Sequence, residues 1–304
     1  MSDDLDLDLS AEAQPGAVVE VAPLVRRIVA PNPSPFTFTG TASYVVGRGQ
    51  VAIVDPGPDD PAHRASLLRA VAGETVRFVV ATHTHMDHTA GAPALAAAVG
   101  APIVGAGPHR TFRPPHEGEA ARLDAGVDGT YRPDQEMADG DVVSGPGWSL
   151  RAVATPGHTA NHLAFALPEA GLLLSGDHVM GWSTTIVAPP DGSMAAYMAS
   201  LEKLLERPEE LYLPGHGPAV RNARAFVRQI IGHRRMREAA IRSRLEEGAR
   251  TIPELVAELY RDLDPRLKGA AGLSVFAHIE ELVARGEAAA EGPPALAATY
   301  RRAG

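Results

Sequence analysis

The feature that most constrains this chain is the run His-Thr-His-Met-Asp-His at residues 83–88, which packs three imidazoles and a carboxylate into six residues. Just before it, residues 76–82 form an apolar, β-branched stretch that predicts a buried strand. On an extended backbone His83 and His85, two positions apart, point to the same side and can chelate one ion. The chain must therefore fold so that a strand delivers these side chains to one site.

Further candidate ligands follow other predicted strands. Pro-Gly-His ends at His158, Ser-Gly-Asp ends at Asp177, and a second Pro-Gly-His ends at His216, each after an apolar run. Open α/β sheets build their sites at such strand ends. A single histidine is more often a hydrogen-bonded or solvated side chain than a ligand, but this ordered set predicts nitrogen and oxygen ligands for two metal ions.

Two more histidines, His162 and His178, lie near or beside these positions. Neighbouring residues on an extended backbone point to opposite faces, so His178 is expected to face away from Asp177. We therefore expect both histidines to support the site rather than to bind metal.

The ordered set resembles the signature of the metallo-β-lactamase superfamily, in which His-x-His-x-Asp-His is followed by Gly-His, an aspartate and a final histidine. The resemblance implies two metal ions, each with three ligands of its own, and one shared carboxylate. It assigns the first ion to His83, His85 and His158, the second to Asp87, His88 and His216, and the bridge to Asp177. It also implies that Asp55, after the apolar run 51–54, supports the ligand loop without binding metal; a turn aspartate is the alternative.

The absence of cysteine narrows the resemblance, because the main β-lactamase classes with a thiolate ligand need that residue. Those classes are excluded. The remaining lactamase pattern lacks a bridging carboxylate, so Asp177 moves the resemblance toward sites of the glyoxalase II and ribonuclease Z type. A set of imidazoles and carboxylates suits zinc best but also accepts iron or manganese. We expect two divalent ions, with zinc ahead of iron or manganese.

Length and composition predict two domains, since 304 residues exceed one typical domain and 45% hydrophobic residues can bury a substantial core. Residues 1–20 are acidic and too polar to pack, which predicts a disordered leader. From 21 to 225, predicted strands and helices alternate twice, with candidate ligands at both groups of strand ends. That pattern fits an α+β fold, the four-layer αβ/βα sandwich of the superfamily. The irregular stretch 105–141, which includes His109 and Glu117, is assigned no chemical role.

Residues 226–304 predict a second domain. A charged helix over about 219–247 precedes a capping box, Thr251 to Glu254, that opens another helix, and a third helix is predicted over 273–284. Two short polar segments complete a winged-helix pattern. A metallo-β-lactamase domain with such a tail resembles the β-lactamase-like protein 2 family over nearly the whole chain. Known members include an endoribonuclease that cuts single-stranded RNA and thioesterases that release polyketide products, so the tail does not choose the chemistry.

A mechanism common to both activities follows from the ions, because metal binding lowers the pKa of water to about 7. A hydroxide that bridges the two metals is expected to attack a phosphorus or carbonyl centre, with Asp177 and Asp87 as the catalytic carboxylates. Single-stranded RNA is slightly favoured over a thioester or another acyl compound of the glyoxalase II type. A non-catalytic winged-helix regulator is the least favoured alternative, since a binding protein has no need of an open dinuclear centre. The oligomeric state is left open.

The sequence also bears on where the protein acts. No run of about 18 apolar residues occurs, and Met1 is followed by acidic rather than basic residues, unlike a secretion signal. We therefore expect a cytoplasmic protein without a membrane partner. Along the charged helix arginines alternate with glutamates, which favours a solvated face over contact with nucleic acid.

Overall fold

Two large sheets that face each other make up most of the chain, and a smaller helical region follows them. A computed structural model describes residues 5–116 and 126–304. Glu117, which the sequence places in an irregular stretch, lies outside the described residues.

The first sheet has seven strands in chain order. They are β1 Val19–Ala22, β2 Val25–Val29, β3 Ala42–Arg48, β4 Gln50–Val54, β5 Thr75–Ala81, β6 Ile103–Gly105 and β7 Gln135–Glu136. Strands β1 to β4 pair antiparallel, whereas β4 to β7 pair parallel. The helices of this half are α1 Pro61–Ala70, α2 Met86–Thr89 and α3 Ala92–Val99. Helix α1 has a capped start, because the Asp60 side chain accepts a hydrogen bond from the His63 amide and Pro61 fills the first turn.

The second sheet has six strands in the order β13-β12-β11-β10-β9-β8. They are β8 Val142–Gly145, β9 Trp148–Ala154, β10 Leu163–Leu167, β11 Leu172–Gly176, β12 Leu211–Pro214 and β13 Val220–Arg221. The parallel pair β11 and β12 is connected through α4 Met194–Leu205, which begins at the predicted cap Ser193. Both strands therefore deliver their carboxyl ends to the same edge of the sheet.

Three buried clusters show how the layers pack. Tyr44 and Val54 of the first sheet share a cluster with Phe165 and Leu174 of the second, so the two sheets pack face to face. On the outer side of the first sheet, Leu67 and Leu95 from its helices form a separate cluster with strand residues, and Tyr197 of α4 does the same on the second sheet. The order helix, sheet, sheet, helix confirms the predicted four-layer sandwich.

The carboxyl-terminal region is the predicted winged helix. It consists of α5 Ala223–Glu247, β14 Arg250–Thr251, α6 Ile252–Leu259, α7 Lys268–Ala284, β15 Ala288–Ala290 and β16 Thr299–Arg302, and its sheet has the order β14-β16-β15. The capping box of Thr251 and Glu254 is present at the start of α6. Ile241, Leu255 and Tyr300 meet in a core of its own.

Two helix boundaries differ from those predicted. Helix α5 begins at Ala223 instead of about 219, because Val220–Arg221 pairs with β12 as an edge strand. Helix α7 begins at Lys268 instead of 273, ahead of the predicted apolar stripe. The reason is packing: Ala271 is buried, and Gly272 lies close enough that an added Cβ would be 3.5 Å from Ile252. The first turns of α7 thus contact α6, although Gly272 has weak helix propensity.

Helix α5 runs across the predicted domain boundary. Phe226 and Ile230 of α5 belong to the cluster beneath the second sheet, whereas Ile241 belongs to the winged-helix core. The boundary predicted at 225/226 thus falls within one helix, and it stays a prediction. Strand β1 begins at Val19 and so includes the last two residues of the predicted leader, and the Asp8 amide donates to the Gly181 carbonyl at 2.9 Å. Disorder of the leader stays a prediction.

The length and the apolar character of the described helices bear on membrane insertion. None of those within residues 5–116 and 126–304 combines the length and the apolar character needed to cross a bilayer. A cytoplasmic location stays a prediction.

Candidate metal centre

The first group of predicted ligands converges at the end of β5. His83 Nε2 and His158 Nε2 each lie 3.0 Å from His85 Nδ1, and all three rings are buried. An oxygen of Asp177 lies 3.7 Å from His158 Nε2. One ligand atom from each of these four residues falls within 4.8 Å of the others. The structure therefore brings together the residues assigned to the first ion, although they are up to 94 positions apart, from 83 to 177.

The second group lies beside the first. Asp87 Oδ2 is 3.3 Å from His216 Nε2, and His88 Nε2 is 3.4 Å from the same nitrogen. The Asp177 carboxylate approaches this group too, with Oδ1 at 3.5 Å from His88 Nε2 and Oδ2 at 3.2 Å from His216 Nε2. Asp177 thus contacts both groups, in the position that a bridging carboxylate needs.

Four of the five imidazoles have a hydrogen-bond partner at the second ring nitrogen, and the fifth, His85, has only an ion-pair contact there. His88 Nδ1 lies 2.9 Å from Asp55 Oδ2, and His158 Nδ1 lies 2.7 Å from the Ile186 carbonyl. His85 Nε2 lies 3.4 Å from Asp191 Oδ2, and His216 Nδ1 lies 3.4 Å from a backbone carbonyl. Such partners orient the rings and fix which nitrogen faces the centre, as they do around bound metals.

Asp55 occupies a supporting position. Its carboxylate accepts hydrogen bonds from the Thr82 amide at 2.8 Å and from the Thr82 hydroxyl at 2.9 Å, besides the contact with His88. Its backbone is left-handed, with φ of 51°, a conformation that an aspartate tolerates better than most residues. Asp55 therefore ties the end of β4 to the start of the ligand loop, and its contacts do not include the opposing ligands His158 and His216.

The residues fit two divalent cations. Asp87 Oδ1 and Asp177 Oδ1 are buried and have no hydrogen-bond partner within the described part of the chain. A buried carboxylate oxygen without a partner costs free energy. Two cations with nitrogen and oxygen ligands would satisfy both oxygens and the converging imidazole nitrogens, and this donor set suits zinc, iron or manganese.

The protonation states agree with that fit. Burial, together with the neighbouring imidazoles, lowers the pKa of His83 well below its ordinary value and lowers that of His158 to about 4. Both rings are therefore neutral at pH 7, which is the form that binds metal. Burial opposes the charge on His216, but Asp177 and Asp87 outweigh it and raise the pKa of His216 to about 9. A metal ion would have to displace that proton, so metal uptake at the second group is coupled to proton release.

Two glycines allow the ligands to approach one another. A Cβ added at Gly215 would lie 2.4 Å from Asp177 Oδ1 and 2.6 Å from His88. A Cβ added at Gly176 would lie 2.6 Å from His162 Nε2. The glycines that precede Asp177 and His216 are therefore required by space, not only by the turn.

The histidines expected to support the site lie outside both groups. His162 Nε2 accepts a hydrogen bond from the Asp177 amide at 3.1 Å, and the Thr155 hydroxyl lies 2.8 Å from its Nδ1. His178 is buried against Tyr197, with ring centroids 4.6 Å apart. His162 thus holds the backbone of the shared aspartate, and His178 packs behind it.

Sequence reasoning missed three residues around the site. Asp191 contacts His85, and its other oxygen lies 3.9 Å from His109 Nε2. His109, from the stretch assigned no role, has its Nδ1 3.0 Å from the Thr84 hydroxyl. Thr41 donates to Asp87 Oδ2 at 3.0 Å. Asp191 sits in Pro-Pro-Asp-Gly, where the sequence signal is that of a turn, so nothing local separates it from an ordinary turn aspartate.

A cavity of about 250 Å³ borders the centre on the side of the winged helix. Its apolar lining consists chiefly of Phe36, Met180, Trp182, Ile186, Leu263 and Leu267. Thr185 and Ile186 form a wall between the cavity and the ligands, since the Thr185 hydroxyl donates to the Asp177 carbonyl at 2.7 Å and Ile186 contacts His158. The cavity and the candidate ligands thus lie on opposite sides of the same two residues.

Comparison with known protein families gives two matches. Residues 36–216 match the model described as metallo-beta-lactamase superfamily, and residues 251–293 match the beta-lactamase associated winged helix domain. The first range contains all seven predicted ligands and Asp55.

Relatives with assigned names span most of the chain. The beta-lactamase-like protein 2 homolog of Caenorhabditis elegans is 31% identical over 250 residues, which cover 81% of this chain and 79% of that protein. An atrochrysone carboxyl ACP thioesterase of Aspergillus fumigatus is 30% identical over 258 residues, which cover 79% of this chain and 74% of the thioesterase.

Solved structures agree with the fold. A beta-lactamase domain protein from Burkholderia ambifaria superimposes with a TM-score of 0.78 at 25% identity and covers 98% of this chain and 97% of its own. A metallo-beta-lactamase family protein from Thermus thermophilus gives a TM-score of 0.74 at 24% identity, with 93% of this chain and 100% of its own covered. The second likeness bears on the fold alone.

Proposed function

This chain belongs to the metallo-beta-lactamase superfamily and is a hydrolase with a metal-binding cluster of histidine and aspartate residues, and from that premise we propose that it is a dinuclear enzyme that hydrolyses acyl thioesters. The observation that carries the substrate class is the apolar cavity that shares the wall of Thr185 and Ile186 with the ligands. A thioester carbonyl at the ligands could place its acyl chain or ring in that cavity. Binding pockets for small organic groups are concave and lined mainly by apolar and aromatic side chains, as here.

The charges of the winged helix support the same substrate class. A protein that tracks a nucleic acid backbone presents free cations to the phosphates. Three arginines of α5 instead form ion pairs within the chain. Arg235 pairs with Glu202 at 2.9 Å, Arg242 with Glu287 at 3.2 Å, and Arg244 with Glu258 at 3.0 Å. These pairs leave the helix a poor surface for phosphates.

The chain's own residues prepare the site for the reaction. Asp177 stands between the two ligand groups, with its backbone held by His162 and Thr185. Asp87 is held by Thr41, and His88 is oriented by Asp55. Divalent ions act as Lewis acids and make water a nucleophile at neutral pH, and this is the chemistry they would supply. In the net reaction water adds to the thioester carbonyl, the C–S bond breaks, and an acid and a thiol are released.

The cavity contributes by positioning. An acyl group placed against Ile186 and Trp182 fixes the carbonyl next to the wall that holds Asp177 and His158. Binding energy of the non-reacting part then orients the reacting bond, which raises the rate as well as the affinity. Trp182 is itself held by a stacked ring, Phe38, at 5.0 Å between centroids.

Single-stranded RNA is the second candidate substrate. The observation that favours it is the sharing of Asp177 between two ligand groups, since paired metal ions commonly serve phosphodiester cleavage. Of the two substrates the apolar cavity suits only the acyl group. We therefore place the thioester first, and we keep zinc as the proposed metal ahead of iron or manganese.

The test is a paired assay of the metal-loaded full chain. Benzoyl-CoA and an unstructured RNA of mixed sequence are each incubated with the wild type and with Asp177→Asn at equal protein concentration. We expect release of free thiol from benzoyl-CoA by the wild type, no RNA cleavage, and loss of thiol release in the variant. Metal-dependent RNA cleavage that Asp177→Asn abolishes, without thioester hydrolysis, would reverse the order of the two candidates.

A further inference from the structure

One buried cation near the centre has no role in the arrangement described so far. Arg234, on α5, is 2% exposed and is one of the residues that line the apolar cavity. It donates a hydrogen bond to the Thr185 carbonyl, and its guanidinium lies over the Tyr197 ring at 5.3 Å. Within residues 5–116 and 126–304 it forms no ion pair, and its Nε is buried without a hydrogen-bond partner.

An unpaired buried arginine requires an explanation. Arginine is almost never fully buried unless it is paired, because the charge loses its hydration. One carbonyl and one aromatic face compensate only part of that cost. The other arginines of α5 that form ion pairs, such as Arg235 and Arg244, do so at the surface. Arg234 is set apart by position, because it is the arginine that lines the cavity and no carboxylate pairs with it within the described residues.

The cavity combines this cation with apolar walls. Ile186, Met180 and Trp182 line it from one side, and Leu263 and Leu267 from the other. A ligand that satisfies both features has an apolar body and an anionic group that accepts hydrogen bonds from a guanidinium. Neither a neutral lipid chain nor a bare inorganic anion would use the whole site.

The cation is also placed next to the reacting position. Thr185 joins the two, since its carbonyl accepts from Arg234 while its hydroxyl donates to the Asp177 carbonyl. Arg234 and Asp177 therefore lie on opposite sides of Thr185.

We propose that the Arg234 cavity is a specificity site that binds an anionic group of the thioester substrate. The inference rests on the proposed function for its reaction, but the binding site itself does not depend on it. The anion has two possible sources: a carboxylate carried by the acyl group, or a phosphate of the thiol carrier. Both would form the same charge-assisted hydrogen bonds with the guanidinium.

Three thioesters separate these sources. Benzoyl N-acetylcysteamine carries no anion, 3-carboxybenzoyl N-acetylcysteamine carries a carboxylate on the acyl group, and benzoyl-CoA carries phosphates on the thiol. In Arg234→Gln, kcat/KM is expected to fall by about 10- to 100-fold for the probe whose anion binds at the site, the range for hydrogen bonds to a charged partner. The value for benzoyl N-acetylcysteamine should stay within about twofold.

Arg235→Gln is the matched control, because it removes a charge from the neighbouring position of the same helix where the side chain is two-thirds exposed (66%). It should leave all three probes unchanged. Arg234→Lys, which keeps the charge but loses the planar fork, provides a second variant if the glutamine substitution impairs folding, and it should show the same selectivity with a smaller loss. Equal losses on all three probes, in whichever variant folds, would overturn the proposal.

A binding measurement keeps the site separate from the reaction. Titration calorimetry of the metal-loaded protein with 1-naphthoate and with its neutral amide compares the anion directly. Naphthoate should bind more tightly to the wild type than to Arg234→Gln, and naphthamide equally to both. If no thioester is hydrolysed but this difference is found, the proposed reaction fails and the anion site stands. If naphthoate binds equally to both proteins, the anion site fails.

Discussion

The two halves of the sandwich supply the metal centre in opposite ways. The first half contributes four ligands, His83, His85, Asp87 and His88, from six consecutive residues on one loop and a short helix. The second half contributes His158, Asp177 and His216 from three loops after three different strands. The first set is fixed by local backbone geometry, and the second by the pairing of strands and by the residues that hold each loop.

The two halves also differ in the contacts that support their candidate ligands. On the first side the Asp55 carboxylate contacts both the strand end at Thr82 and the ring of His88, so one carboxylate links the loop to β4. On the second side each ligand has its own support. His158 Nδ1 contacts the Ile186 carbonyl, and His162 and Thr185 form hydrogen bonds with the Asp177 backbone. A disturbance there moves one ligand relative to the others.

The largest expected effect comes from the ligand that serves both groups. Asp177→Asn removes the charge that contacts His88, His158 and His216, whereas His85→Ala removes a contact of the first group only. We expect Asp177→Asn to retain at most one ion and His85→Ala to retain the second. Because loss of a mere supporting contact costs about 10- to 100-fold, hydrolysis should fall by more than about 100-fold in both variants.

Elemental analysis and steady-state kinetics on the same preparations measure these effects. Circular dichroism controls for folding, since both residues are buried. Two ions retained in Asp177→Asn would mean that the carboxylate is not shared, and the contrast between the halves would then lose its central residue.

How much of this could be foreseen depends on the same contrast. The candidate ligands are predictable because each stands in a short motif after an apolar strand, and the structure brings them into the two predicted groups. Asp191 was not, because its contact with His85 arises only when the 189–192 turn folds against the ligand loop. The charge pattern of the helix predicts a solvated face that includes Arg234. It does not reveal that Tyr197 of the neighbouring α4 packs against this arginine and that Arg234 is buried. Local signals identified ligands, and tertiary packing determined their surroundings.

A smaller effect is expected where backbones of the second half approach the ligands. In Gly215→Ala the new Cβ would lie 2.4 Å from Asp177 Oδ1 and 2.6 Å from His88, so the loop before His216 must shift. Overpacking of this kind costs about 1–3 kcal/mol, which corresponds to about a 5- to 150-fold loss of metal affinity. Competition with a chelator for bound metal measures it.

Gly232→Ala on α5 is the control for that substitution, because an added Cβ meets nothing within 4 Å there. It should not change metal affinity, and helix propensity predicts slightly higher stability. If Gly215→Ala bound metal as tightly as the control, the dispersed ligands would be more adaptable than the comparison between the halves implies.

The smallest effect concerns a histidine of the first half that lies outside both ligand groups. His63 is buried beneath Ser43, with Nε2 2.8 Å from the hydroxyl, and burial lowers its pKa to about 4. In the unfolded chain its pKa is about 6.5, so the unfolded state binds the proton first and stability falls as the pH drops from about 6.5 toward 4. As the pH falls from 8 to 6, protonation of His63 in the unfolded state should lower the free energy of unfolding by about 1 kcal/mol.

His63→Gln keeps a polar partner for Ser43 but cannot titrate in this range, so the difference between its pH dependence and that of the wild type isolates His63 from the ligand histidines. Denaturant unfolding of the metal-loaded proteins at pH 8 and pH 6 gives that difference. Because His63 reaches the ligands only through Ser43 and the Asp55 backbone, metal content should be equal in both proteins. A loss of metal in His63→Gln would show that the first half depends on support further from its loop than Asp55, and its local character would have to be abandoned.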